Sequence, residues 1–400
     1  MFSHNDIATP SEKLTSSCLR LLTADLLNSL SEAIKIVVKM RVAIIGAGVI
    51  GMTSALAVKN SFPMFDVHVF ANEFSPDTTG DGSAGLWSPY LLGTTSPDKV
   101  LRWGGVTHRW MEKLWKEGLS RETGVALVPV YHVISDSQGF PDLNWIKLTY
   151  GAHRLTVKEL ERLNEEHKSN YKDGWLFLTY TCEPVILLPW LKEQFEKVGG
   201  KLKKSNIHTF DELIDQGYDL IINCSGLGAR ELVGDNTVIP IRGQVARVTA
   251  SWVMHGILVH DNDGNYIIPN FDSTVIGGTH QEDDYDCTPR EEDFKFIRDG
   301  CCQIMPSLQK ATVIKQWAGL RPGRPEVRLE PEIYKSSTGK EITVRISLIS
   351  FDDELLDQFL RCSQVIHNYG HGGSGVTLSW GCAVDVVKIL RNLTGLKSNL

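Results

Sequence analysis

The sequence has no apolar run of the roughly 20 residues that a membrane-spanning helix needs. It has no long basic stretch, and 41 Lys and Arg against 48 Asp and Glu leave a formal net charge of −7. That balance argues against nucleic acid as the main partner. The eight cysteines form no CxxC pair and no zinc-like spacing, so a reduced intracellular compartment is expected, with no metal site and no disulfide framework. The adjacent Cys301 and Cys302 read as buried thiols. No internal repeat is visible, and neither a nucleophile–base triad nor a carboxylate pair stands out.

What is present begins with ordinary bulk properties: 400 residues, 42% apolar and 22% charged, enough for two large lobes with ample core. The chain is organised around residues 41–53, RVAIIGAGVIGMT. Val42–Ile45 is an unbroken apolar run, the pattern of a strand buried on both faces of a parallel sheet. Gly46, Gly48 and Gly51 follow in G-x-G-x-x-G spacing and open an apolar helix. Gly46 permits the tight turn, Gly48 lets the backbone approach a pyrophosphate, and Gly51 lets the helix pack on the strand. Phosphates would sit on the free N–H groups at the positive end of that helix. A lone glycine triplet is weak evidence; strand before and helix after make it a dinucleotide site.

Residues 1–39 differ from the rest, with an early Ser/Thr/Asn-rich stretch and then a helical apolar pattern. They lack the layout of a secretory signal and read as an appended, partly helical or disordered arm, or as residues ahead of a start at Met40. Asp66–Ala71 alternates as a second strand, and Asn72 or Glu73 at its end is expected to bind the adenine ribose. Residues 74–90, FSPDTTGDGSAGLWSPY, suit a loop, with Thr78 and Thr79 placed to donate to phosphate. Residues 101–220 alternate helical and strand patterns; 187–198 is an amphipathic helix, and 219–223 is a buried strand followed by the turn containing Ser225. Alternating strands at 238–248, 266–269 and 274–278 imply an antiparallel sheet. The turn at 369–377, YGHGGSGVT, precedes a long helix and can form a nest of N–H groups for an anion. His371 within it is expected to pack and donate to backbone rather than to act chemically. Arg321, stiffened by Pro322 and Pro325, could clamp a carboxylate, whereas Arg324 and Arg328 cannot all share one small substrate with it.

Taken together, GAGVIG, FSPDTTGDGSAGLWSPY, NCSGLGAR, RGQV, YIIP, GLRPGRP and HNYGHGGSGVTLSWG resemble the D-amino-acid oxidase and D-aspartate oxidase family over roughly residues 40–400. The resemblance implies an α/β fold with a Rossmann-type FAD-binding part and an antiparallel-sheet substrate part. The FAD-binding parts would be about 40–100, 185–235 and 362–400, and the substrate parts about 101–184 and 236–337. It implies oxidation of a D-amino acid by hydride transfer from Cα to flavin N5, imine hydrolysis to a 2-oxo acid and ammonia, and reoxidation by O2 to H2O2. No side-chain base is required, so catalysis would be orientation plus flavin electronics. By position, Gly46, Ala47, Gly48, Val49, Ile50 and Gly51 hold FAD phosphates together with Thr78 and Thr79. Ala84, Gly85 and Leu86 approach the flavin ring, Ile207 lies by the adenine half with Asn72 and Glu73, and Ser225 borders the cofactor. Gly372, Gly373, Ser374, Gly375, Val376 and Thr377 line the flavin. Arg321 takes the substrate carboxylate with the Tyr266 hydroxyl, the Gly373 carbonyl accepts from the substrate amine, and Tyr90 lines the substrate pocket.

Leu86, Trp87, Pro89 and Tyr90 resemble the broad, neutral-substrate branch, whose counterpart tends to carry His at the Tyr90 position and Ser where Gly373 stands. No extra arginine precedes YIIP; His255 and His260 are the nearest basic residues. Residues 259–265 are a short version of the neutral branch's lid without its second tyrosine. The reading favours the broad branch, with acidic D-amino acids as the alternative. Residues 338–362 form an atypical insertion that leaves a flavin-binding scaffold without turnover as a rival. An NAD-dependent dehydrogenase and a glycine- or sarcosine-type amine oxidase are further rivals. The final Ser398-Asn399-Leu400 varies the S-K-L address, so a peroxisomal import receptor and the peroxisome matrix are expected, otherwise the cytoplasm. A homodimer is one option for the assembly.

Overall fold

The computed structural model describes residues 40–261, 265–337 and 364–396. The expected N-terminal arm, the 338–362 insertion and Ser398-Asn399-Leu400 lie outside them, as does the middle of the short lid. Among the described residues no helix is long and apolar enough to cross a membrane.

One sheet is built from β1 (Arg41–Ile45), β2 (Asp66–Ala71), β6 (Lys201–Lys204), β7 (Leu220–Asn223), β14 (Arg328–Ile333) and β15 (Gln364–Tyr369). The other contains β3 (Val125–Ile134), β4 (Tyr150–Arg154), β5 (Asp173–Cys182), β8 (Ile239–Val248), β9 (Gly256–Val259), β10 (Tyr266–Pro269), β11 (Thr274–Gly277), β12 (Gln281–Glu282) and β13 (Val313–Gly323).

The first sheet runs β14-β15-β7-β1-β2-β6 and is parallel except for β14. β1 lies near its centre, with Val42–Ile44 fully buried as the apolar run requires. Helix α1 (Val49–Ser61) packs against α5 (Gly375–Thr394), and α2 (Pro97–Lys116) joins them through a Trp110–Trp380 stack 4.8 Å apart. Gly381 is required there, because a Cβ would lie 2.1 Å from the Trp103 carbonyl oxygen. The helix read at 187–198 spans Pro184–Lys197 as α3, and α4 (Glu291–Ile304) covers the second sheet.

The second sheet runs β12-β8-β11-β10-β9-β3-β5-β4, with β13 also paired to β8. It is antiparallel apart from the β3–β9 pair. β14, in a stretch expected in the substrate part, pairs with β15 in the first sheet, and α2 lies between the two sheets, with Trp110 on α5 and His108 5.0 Å from the Tyr180 ring of β5. β14 is an exposed edge whose Glu330 and Glu332 pair with Arg328, so its sequence carries no buried period that would have assigned it.

Candidate active site

A single continuous cavity of about 1170 Å³ runs from the carboxyl ends of β1 and β2 to the face of the second sheet. At one end the glycine turn is set by contact. Gly46 has φ +104°, and a Cβ there would lie 2.4 Å from the Cys224 carbonyl oxygen. A Cβ on Gly51 would lie 1.9 Å from the Gly46 carbonyl oxygen, so this residue works from behind the cavity by bringing helix onto strand. Gly48 faces open space, and its missing side chain is what leaves the helix N-terminus accessible. Ala47, Val49, Ile50, Asn72, Glu73, Ile207 and Ser225 also border the cavity, with Glu73 paired to Lys204 at 3.1 Å.

The 74–90 segment crosses the middle. Asp81 accepts from Ser75 Oγ, Thr78 N and Thr78 Oγ1 at 2.6–2.9 Å, so the Thr78 hydroxyl hydrogen is already used. Thr79 donates to no protein atom among the described residues and is the freer of the two for a phosphate. Gly85 (φ +72°) passes so close to Cys182 that only glycine fits, and Leu86 bridges to Thr181. Ser374 and Thr377 do not line the cavity, nor does Gly51. Their hydroxyls stitch the segment instead: Ser374 Oγ exchanges hydrogen bonds with Tyr90 N and O, and Thr377 Oγ1 with Ser88 N and O. Gly372, Gly373, Gly375 and Val376 do line it, as do Ala84, Gly85 and Leu86.

At the far end, strand register sets the floor. Trp317, Val245, Gly277, Tyr266, Leu258 and His132 form one row across β13, β8, β11, β10, β9 and β3. A Cβ on Gly277 would lie 2.3 Å from Tyr266 Cζ, and one on Gly278 2.7 Å from its hydroxyl oxygen. These glycines give the tyrosine its place. The Arg321 guanidinium lies over Gly243, where a Cβ would come within 2.2 Å of Nη1, and donates to the Thr279 carbonyl at 3.0 Å. Arg324 is paired with Asp235, and Arg328 with Glu330 and Glu332. Arg321 has no carboxylate partner among the described residues. It and Tyr266 face the same cavity, with the Tyr90 ring 6.0 Å from the Arg321 Cζ. Burial raises the Tyr266 phenol pKa, with Arg321 pulling the other way, so the hydroxyl keeps its proton.

His371 is buried in its turn, and burial lowers its pKa to about 3, so it stays neutral. Its Nε2 has no partner, contrary to the expected backbone hydrogen bond, and Ser225 Oγ and Asn368 Oδ1 are likewise unpartnered on the cavity wall. Sequence reading missed Gly243, Gly277, Gly278, His132, Trp145 and His280. A histidine at an inward position of the apolar strand β3 was the one available signal for His132. Cys301 and Cys302 are buried thiols behind the floor, their pKa values raised by burial, and Cys301 Sγ contacts the Tyr266 carbonyl at 3.5 Å.

Residues 41–389 match the family model described as FAD dependent oxidoreductase, DAO. The chain belongs to this family. It is 31% identical to D-aspartate oxidase from Homo sapiens over 88% of its length and 94% of that protein's. It is 32% identical to D-amino acid oxidase from Dugesia ryukyuensis, over 90% of its length and 100% of that protein's. Glycine oxidase from Geobacillus kaustophilus shares the fold, with a TM-score of 0.66 at 16% identity over 88% of this chain and 95% of that one. FAD is the cofactor of this DAO-family chain, and the residues present suit it. An open Gly48 lies beneath a helix N-terminus, Thr79 has a free hydroxyl, and the buried polar atoms of Ser225, Asn368 and His371 lack partners beside them.

Proposed function

We propose that this oxidoreductase converts D-amino acids, with O2 and water, to 2-oxo acids, ammonia and H2O2. One observation carries the reading: Arg321, without a carboxylate partner, and the protonated Tyr266 hydroxyl converge on one wall of the FAD cavity. Held by the glycine turn and Thr79, FAD would supply the two-electron acceptor for the Cα hydride and the route of those electrons to O2. Arg321 binds the substrate carboxylate through its planar fork, and Tyr266 donates to the same group. The Gly373 carbonyl accepts from the amine, and the Tyr90 ring borders Arg321. With the carboxylate and amine held, only one enantiomer turns its single Cα hydrogen towards the cofactor side of the cavity. Leu86, Leu143, Trp145 and Leu258 offer an apolar wall to the substrate side chain, which supports turnover of neutral D-amino acids. The test is peroxide release by FAD-loaded protein with D-alanine, D-methionine and D-aspartate, and with the L-enantiomers as controls. Peroxide from the D-forms alone is expected. Equal rates with L-alanine, or none with any D-amino acid, would overturn the reading.

A further inference from the structure

Residues 83–86 line the cavity between the glycine turn and the Arg321–Tyr266 wall, and three of their consecutive carbonyls are bound from behind. Ser83 O accepts from Arg247 Nη2 at 3.0 Å, Ala84 O from Asn270 Nδ2 at 3.0 Å, and Gly85 O from Cys182 N at 2.8 Å. Arg247, Asn270 and Cys182 do not themselves line the cavity. The peptides are trans, so each N–H points away from the carbonyl of its own unit. The N–H groups of Ala84, Gly85 and Leu86 therefore turn to the cavity side, and none has an acceptor among the described residues. The two side-chain anchors belong to one cluster. Arg247 lies two residues beyond the floor residue Val245 on β8, on the same face. Its Nη1 donates to Asn270 Oδ1 at 2.9 Å and to Glu183 Oε1 at 3.2 Å, and Glu183 Oε2 accepts from Phe271 N at 3.3 Å. Donation from Arg247 fixes the Asn270 amide with its nitrogen towards Ala84. The Arg247 and Glu183 side chains are 14% and 9% exposed, so salt screens the pair little. Asp81 and Asp272 are the other charged groups that face it.

We propose that Arg247, Asn270 and Glu183 are positioning residues that hold the row of N–H groups at 84–86 against the FAD ring and set its reduction potential. The proposal rests on the reading above, with FAD anchored at the glycine turn and substrate at Arg321, so that the ring occupies the cavity where 83–86 crosses it. Acceptor atoms of the ring become more electron-rich on two-electron reduction. Donors already in place therefore favour the reduced form over the oxidised one. Arg247 adds its charge, which polarises the Ser83–Ala84 peptide and strengthens the N–H at its far end. Glu183 acts with the opposite sign, because its carboxylate offsets part of that charge. Residues that only kept the segment folded would shift the potential in one direction when replaced. This cluster shifts it in two.

The test is the two-electron potential of the FAD-loaded protein, read by equilibration with a reference dye, which needs no amino-acid substrate. Arg247→Met is expected to disfavour reduction about tenfold, a fall of about 30 mV. Asn270→Ala, which changes no charge, is expected to disfavour it about threefold. Glu183→Gln keeps an acceptor for Arg247 and is expected to favour reduction about threefold. Arg247→Met combined with Glu183→Gln leaves no unpaired buried carboxylate, and its potential should still lie below that of the unsubstituted protein. That double variant decides the matter if Arg247→Met alone does not fold. Shifts of one sign for Arg247→Met and Glu183→Gln, or unchanged potentials throughout, overturn the proposal and leave the function standing. Opposite signs, with no peroxide from any D-amino acid, support the cluster and overturn the function.

Discussion

At the scale of single residues, the proposed cofactor and substrate roles can be tested separately. Arg321 donates to the Thr279 carbonyl, interacts with the Tyr266 hydroxyl and has no carboxylate partner among the described residues. Arg321→Ala is expected to cost about 2–4 kcal/mol in substrate recognition, roughly 30- to 1000-fold in kcat/KM for D-substrates, with the protein still yellow. Unchanged steady-state kinetics would remove the clamp. Gly48 faces open space, so Gly48→Val folds without a clash but fills the volume that the pyrophosphate needs. Purified protein should be colourless, with little absorbance near the flavin bands. Gly373 and Tyr90 are coupled, because a Cβ on Gly373 would lie 2.4 Å from Tyr90 Cδ1. Gly373→Ala should therefore raise KM several-fold by displacing the ring, and adding Tyr90→Ala should relieve the backbone. A double-mutant cycle with a coupling term near zero would show that the two do not touch in solution.

At the scale of elements, β8 is the spine of the second sheet, and the fully buried Arg242 is its hub. Its guanidinium donates to Asp293, Gln281, Gln244 and the carbonyls of Asp286 and Thr288, at 2.6–2.9 Å. Arg242→Met leaves the Asp293 carboxylate buried without its cation and should cost roughly 3–5 kcal/mol, read from urea denaturation. A loss under 1 kcal/mol would mean that the network relaxes around water. Between elements, the Ser374 and Thr377 hydroxyls tie helix α5 to the segment carrying Leu86 and Tyr90. The glycine-dense turn thus fixes the position of the 88–90 backbone along the cavity.

For the whole molecule, stability is linked to protons through buried histidines. Burial lowers His108 to about 4 and both His132 and His371 to about 3. Unfolded histidines titrate near 6.5. Below that value the unfolded chain binds protons that the native state refuses, so stability is full above pH 6.5 and falls on acidification. Each such histidine contributes about 1.4 kcal/mol per pH unit until its native pKa is reached. Urea midpoints should drop clearly between pH 7 and 5, and a rise over that range would contradict the burial of these rings. FAD acts through mass action on the same equilibrium. At a free concentration of 100 times Kd it adds about 2.7 kcal/mol, an increment that Gly48→Val should lose.

The sequence by itself determined the dinucleotide strand, turn and helix, because those features are local: an apolar run, three glycines at fixed offsets and a helix that follows at once. It also singled out Arg321 and Tyr266 as candidates, through motifs specific enough to carry a family resemblance. Only the tertiary structure decided what those residues face. Strand register across six strands places Trp317, Tyr266 and His132 in one row, and register depends on pairings between segments far apart in the chain. For the same reason the roles of Gly243, Gly277 and Gly278 were invisible: what a missing Cβ makes room for is a neighbour brought in by folding. Edge strand β14 joins the first sheet and helix α2 lies between the two sheets because of what they pack against, which no local periodicity records.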